Sequence, residues 1–287
     1  MKNTFKLATT ALLLSSVLAA PAFAAEDSDS STTKAKVSFK AGGTDPEGNG
    51  EINPPTHPDE PGQIIKPEGG TEGEPEVPGE EGKPGTPSKP GGNTGNGGPL
   101  SLDFVSNFDF KTNAISTKDE SYFAAVQQVR EIEDGETEPK PDAPLVEAPN
   151  FAQVTDKRGS GAGWNLTVTQ KGQLETEDNK VLNGAQITLH NSTIMSSVDD
   201  EKQAPALAKE GDIKITVGET PVATPLMTAD KEKGMGQFQV KFGTSKAEET
   251  ASKSVELFVP GKTVKYAKDY STSLEWNLAN GPLNTEV

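Results

Sequence analysis

The chain is 287 residues long, with 32% hydrophobic residues and a formal net charge of −16, from 27 Lys and Arg against 43 Asp and Glu. That hydrophobic content is below the globular norm, so part of the chain is expected to lack a core, and so acidic a surface repels phosphate backbones and argues against nucleic acid. The absence of cysteine excludes disulfides, thiolate metal sites, a cysteine nucleophile and a lipid-modified N-terminal cysteine, a usage that fits bacterial export better than an animal secreted module.

Residues 1–24 read as a secretory signal peptide. Lys2 and Lys6 make a positive start, and Leu7 to Ala20 is an apolar stretch too short to span a bilayer comfortably. Ala22 and Ala24 supply the small-residue pattern for cleavage between Ala24 and Ala25. No other run approaches spanning length, so no membrane insertion is expected. A short alternating run follows at Ala35, Val37 and Phe39, which fits either an edge strand or disordered chain. Residues 41–99 then hold 12 Pro and 16 Gly among 59 positions. Pro removes backbone donors and Gly raises the cost of ordering, so 25–99 is expected as a disordered low-complexity spacer, reaching on the order of 45 Å as a coil.

From Leu100 alternation takes over. Leu100, Leu102 and Phe104 alternate, then Phe108 and Phe110, and Tyr122, Ala124, Val126 and Gln128 fit a strand or a helix. Residues 133–149 are acidic and Pro-rich and read as a surface loop. Phe151 to Thr155 leads through a turn at Asp156 to Gly163 into an alternating run from Trp164 to Gln170. Further runs lie at Gln186–Met195, Ile213–Val217, Phe238–Phe242 and Val255–Val259. No helical stripe is sustained anywhere. The prediction is an all-β domain, a β-sandwich or barrel over 100–287, after a disordered Pro/Gly/Glu-rich N-terminal segment. One elaborate sandwich and two small packed ones both fit that length.

The chain's two tryptophans open the same tripeptide: Trp164, Asn165, Leu166 and Trp276, Asn277, Leu278. By ordinary residue frequencies such a repeat arises by chance in roughly a few cases per thousand. Trp164, Leu166 and Val168 share one parity, and so do Leu274, Trp276 and Leu278. A period of two puts Trp and Leu on one face of a strand and Asn on the other. These six residues form the candidate binding set. An indole offers a flat apolar face and one N–H for a sugar ring, and Asn165 and Asn277 add amide donors and acceptors. A core strand shows the same alternation, so a structural role for the rings stands beside the binding one.

Catalytic chemistry finds little purchase. His57 lies in the expected spacer and His190 on a predicted strand, with no serine elbow, metal-binding His pair or phosphate loop. Gly159, Gly161 and Gly163 enter a strand rather than a helix, against nucleotide binding. Glu177, Asp178 and Asn179 lack the ligand spacing of a calcium loop. No catalytic residue, metal or cofactor is expected, and a paired-carboxylate glycosidase is the enzyme class that the abundant acids leave open.

Three blocks carry a resemblance. Gly98 to Leu102 reads Gly-Pro-Leu-x-Leu, Asp156 to Gly159 forms a turn ahead of Gly163, Trp164, Asn165 and Leu166, and Tyr270, Leu274, Trp276, Leu278 and Pro282 close the chain. Their order and layout resemble the WxL-domain surface proteins of low-GC Gram-positive bacteria, over Gly98 to the C-terminus. Glu275 departs from the family, which commonly has a small polar residue there. The resemblance implies a secreted, cell-surface protein attached non-covalently to the cell wall, with peptidoglycan as ligand, directly or through membrane-anchored surface proteins encoded with it, and no enzymatic activity. Residues 281–287, with neither a hydrophobic tail nor a basic stop, lack the layout of a covalent wall or lipid anchor. An adhesin or surface-complex subunit binding host or neighbouring-cell proteins is the second reading, and a wall hydrolase the third.

Overall fold

The computed structural model describes residues 36–45, 49–77, 79, 85–217, 220, 222–246 and 249–283. The signal peptide expected at 1–24 lies outside them, as does Ala35. The chain divides after Phe39 into two units. The described residues of the first, 36–39, form no strand and leave Val37 and Phe39 exposed.

The second unit, Lys40–Val287, holds every strand among the described residues. In chain order these are β1 (Ile65–Pro67), β2 (Gly92–Asn93), β3 (Leu100–Ser106), β4 (Glu120–Phe123), β5 (Gln127–Glu131) and β6 (Val146–Ala148). Next come β7 (Asn150–Asp156), β8 (Trp164–Gln170), β9 (Gln186–Leu189), β10 (Ser192–Ser196) and β11 (Ala206–Leu207). The last are β12 (Ile213–Ile215), β13 (Thr224–Ala229), β14 (Gly236–Phe242), β15 (Val255–Val259) and β16 (Leu274–Asn280). They pair into four sheets, ordered β1-β5-β6, β10-β14-β7-β3-β2, β11-β13-β8-β16 and β12-β9-β15-β4. The all-β expectation holds, and the sheets stay open rather than closing into a barrel. No helix among the described residues is long and apolar enough to cross a membrane.

One main core joins the three larger sheets. The five-stranded sheet contributes Ala152 and Val154 from β7 and Phe238, Val240 and Phe242 from β14. Trp164, Leu166 and Val168 of β8 meet them, with Ile187, Leu189, Ile213 and Val255 from the sheet containing β9. Period two leaves the other parity of β7 facing away, yet β7 is buried along its whole length. On that second face Phe151 packs with Phe104, ring centroids 4.8 Å apart, under Ile65 of β1, Val129 of β5 and Ala148 of β6.

Much of the stretch expected as a spacer is therefore built into this unit. β1 pairs with β5 and β2 with β3, and Ile65 is only 1% exposed. Next to it the cover over the five-stranded sheet is polar. Buried Asp103 accepts from Gln153 Nε2 at 3.0 Å and Thr155 Oγ1 on one oxygen, and from Ser101 Oγ at 2.6 Å and Asn53 Nδ2 at 3.1 Å on the other. Gln153 Oε1 accepts from the Thr56 backbone N–H and from Gln239 Nε2, each at 2.9 Å, and Gln239 Nε2 also donates to Thr56 O at 2.7 Å. Asp59 pairs with Lys241 and takes two 2.8 Å donors from Ser245. Burial pushes the Asp59 carboxyl up, but Lys241 and Ser245 outweigh it and hold it below the usual carboxylate range. Pro and Gly content measures how poorly a segment forms helix or ladder. It says nothing of docking through side-chain amides and carboxylates supplied by a neighbouring sheet, and that is the route taken here.

Two expected strands are each divided. Tyr122 to Gln128 splits between β4 and β5, in different sheets. Gln186–Met195 breaks near Asn191, left-handed at φ 51°, so that β9 and β10 also enter different sheets. Phe108 and Phe110 form no strand.

Candidate functional site

The two Trp-Asn-Leu strands are hydrogen-bonded neighbours. β16 lies antiparallel beside β8, with Trp276 opposite Val168, Leu278 opposite Leu166 and Asn280 opposite Trp164. Directly paired residues share a face, so both tryptophans and both leucines point to the core side, and Asn165 and Asn277 to the other. The depths differ. Trp164 and Leu166 are 0% exposed, whereas Trp276 and Leu278 are half-buried at the core's margin. The Trp164 indole N–H donates to Gly234 O at 2.8 Å, and its ring lies 6.2 Å from that of Phe238. Gly234 sits at φ 75°, and a Cβ there would come within 2.5 Å of Trp164 Nε1, so only glycine fits. Trp276 meets Phe108 edge-on at 6.4 Å, and Phe108 in turn meets Phe242 at 6.2 Å. Asn165 spends its amide on Gly281 O at 2.8 Å. Asn277 is exposed and makes no side-chain hydrogen bond among the described residues.

At the Trp164 end an arginine ties the corner together. Arg158 grips both oxygens of buried Asp156, at 3.0 and 2.8 Å, donates to Gly163 O at 2.8 Å and reaches Asn280 Oδ1. Gly281 N–H also donates to Gly163 O, at 3.1 Å, and Lys157 N–H to Pro99 O at 2.6 Å, where Leu100 stands opposite Asp156. Gly163, at φ 72°, leaves no room for a Cβ, which would lie 2.4 Å from Ala229 O. The Gly98–Leu102 start, the Asp156–Gly159 turn, the first Trp strand and the end of the second therefore converge on one corner. Their spacing in sequence does not reveal this. The Asp-Lys-Arg-Gly turn is the signal that could have.

At the opposite end the ladder continues past Gln170 and Leu274. Lys171 N–H donates to Ser273 O, and Glu175 and Ser271 exchange two backbone bonds, all at 2.9 Å. The connections 171–185 and 260–273 are thereby held side by side around an open cleft of about 730 Å³. Asp178 at its border accepts from Lys268 Nζ at 2.8 Å and Thr176 Oγ1 at 2.7 Å, and these donors pull its carboxyl down to about 2. The sequence reading weighed Glu177 to Asn179 for calcium alone and missed the cleft.

The two histidines each sit among acidic groups. His190 Nδ1 lies 2.8 Å from Asp212 Oδ1 and Nε2 2.8 Å from Glu256 Oε2, while Ser121 Oγ donates to Glu256. Asp212 just before β12, His190 just after β9, Glu256 of β15 and Ser121 of β4 form one polar row. Burial alone would push the imidazole down, but the two carboxylates outweigh it and hold it above the ordinary histidine value. Ser121, with opposition from burial and help from His190, holds Glu256 below its ordinary value. The serine donates to the glutamate and not to the imidazole, which is not a nucleophile–base arrangement. His57 is buried, and burial pushes it down against the pull of Glu60 and Asp59.

Residues 26–282 match the family described as WxL domain surface cell wall-binding. The match begins well upstream of Gly98 and takes in the segment docked across the five-stranded sheet. The family is a wall-binding one and not an enzymatic one. No curated protein and no solved structure matches the chain.

Proposed function

This chain belongs to the WxL domain family of surface cell wall-binding proteins, and from that membership we propose that it is exported by its 1–24 signal peptide and held non-covalently on the Gram-positive wall, with peptidoglycan as direct ligand. Cell-surface, wall-associated placement comes with the family. The geometry that supports a single binding element is the pairing of the two Trp-Asn-Leu strands: residues far apart in the chain form one two-stranded bar. Of the six motif residues, Asn277 is exposed, and Trp276 and Leu278 are half-buried and retain part of their surface for contact. Trp164 and Leu166 act by fixing the bar, since their surfaces are spent on the core, and Asn165 commits its amide to Gly281.

The test is sedimentation of the purified protein with peptidoglycan stripped of proteins and other wall polymers. The protein is expected in the pellet without any helper. Protein that stays in the supernatant, and pellets only once a membrane-anchored surface protein is added, would make the domain a protein-binding module and overturn direct recognition.

A further inference from the structure

We propose that the cleft between the 171–185 and 260–273 connections takes an acidic glycopeptide, a sugar ring together with a free carboxylate of the peptide stem that it bears, both of which peptidoglycan offers. The inference rests on the peptidoglycan reading above and gives it a site that the Trp-Asn-Leu motif does not name.

The cleft has the size, chemistry and stiffness for such a ligand. About 730 Å³ is in the range of small-ligand sites and holds a short glycan segment. Its wall carries apolar surface that the core does not use: Tyr266 is 46% and Val264 67% exposed. An exposed ring beside amides is what a sugar needs, an apolar face for its C–H side and donors and acceptors for its hydroxyls. Asn179 and Asn183 supply the amides, both exposed on the cleft.

The cations select for acid. Lys180 Nζ stands 5.7 Å from the centre of the Tyr266 ring, and Lys262 lines the same opening. Neither makes an ion pair among the described residues, although the chain has 43 acids to 27 bases. The neighbouring lysines are already committed. Lys268 is bound to Asp178, and Lys265 Nζ donates to Pro260 O at 2.9 Å and Thr263 O at 3.2 Å. The Lys180 ammonium beside the ring and Lys262 on the same opening form an electrostatic seat for a carboxylate linked to a sugar.

The seat is organised before any ligand arrives. Thr263 Oγ1 donates to Asn183 O at 2.6 Å, tying the two connections, and Tyr266 N–H donates to the Tyr270 hydroxyl at 2.9 Å. Tyr270 packs against the main core, so it acts as a positioning residue for the ring of Tyr266. Backbone bonds at Lys171–Ser273 and Glu175–Ser271 then tie the cleft loops back to β8 and β16. Preorganisation of this kind lowers the ordering cost of binding. It also gives buried Trp164 a purpose that requires no contact with sugar, because it holds the bar from which the cleft is hung.

Three variants of the full protein test this on bare peptidoglycan, with urea midpoints as the folding control. Tyr266→Ala and the double variant Lys180→Glu, Lys262→Glu are expected to lower apparent affinity at least tenfold with wild-type midpoints, and Tyr266→Phe to retain it. Wild-type protein is expected to bind peptidoglycan whose carboxylates have been chemically amidated at least tenfold more weakly. If wild type pellets and both variants pellet equally well, the cleft is not the site while the wall reading stands. Undiminished binding to amidated peptidoglycan overturns the assignment of a stem carboxylate to the cleft without involving any variant. If wild-type protein fails to pellet at all, the peptidoglycan reading itself is lost, and this inference with it.

Discussion

The Trp164 ring is enclosed by Phe238 and Ala229, with Gly234 O on its N–H, so Trp164→Ala opens a cavity and orphans a buried carbonyl. The expected cost is about 3–5 kcal/mol, and Trp276→Ala, at the core's margin, is expected to cost about half as much or less. Urea unfolding of the two variants measures this, and equal costs would contradict the difference in depth. The alternation of Trp164, Leu166 and Val168 made their shared face legible in the sequence. Depth was not, because it depends on Phe238 and Gly234, which arrive some seventy residues later and carry no local mark. Asn165 is similar: its amide was legible as a donor, but not its commitment to Gly281 O. The polar row through His190 yields a pH prediction. Raised above its ordinary value, His190 contributes stability that is fully present below about 6.5 and is lost as pH rises through its folded value. His57, lowered by burial, has the opposite sign and loses stability as pH falls through 6.5. His190→Gln is therefore expected to destabilise more at pH 6 than at pH 8, and His57→Gln less at pH 6 than at pH 8. Urea midpoints at the two pH values decide it, and a His190→Gln penalty that does not change with pH would remove the charge linkage.

Among elements, the strands that were legible are those with clean period two: β3, β7, β8, β14, β15 and β16. β1 and β13 were not. β1 is Ile-Lys-Pro, too short to alternate, and β13 carries Pro225 where its register with β8 shifts, which is where a strand tolerates proline. The segment Asn53–Pro67 was misread for a deeper reason. Its stability lies in groups on β3, β7 and β14, and no window on its own composition contains them. A fragment of residues 100–287 puts this to the test. Without the segment, Phe104, Phe151 and Val129 lose the cover of Ile65, and Asp103 and Gln153 lose the donors of Asn53 and Thr56. The fragment is expected to unfold at lower urea than the chain from residue 26 and to bind more of an apolar dye. Matching midpoints would show that the segment is dispensable. The Arg158 corner belongs to the same scale, since it converts four separate sequence blocks into one joint.

For the whole molecule, the fold class and the wall-binding family were legible because both rest on repeated or ordered motifs. The cleft was not, because two connections about eighty residues apart build it and neither has a periodic pattern. Its charge character was hidden as well: a net charge of −16 describes the average surface and conceals the lysines that line the cleft. The pairing of β8 with β16 has a further consequence in time. A strand near the middle of the chain finds its partner only when residues 274–280 are present, and contacts this distant in sequence form slowly. As the polypeptide is made from its N-terminus, the flank of β8 stays bare and the cleft loops stay unjoined until almost the last residues described here have emerged. Under the export proposed above, the β8–β16 pairing is completed only after residues 274–280 have crossed, which places the joining of the cleft loops on the side of the membrane where the wall is.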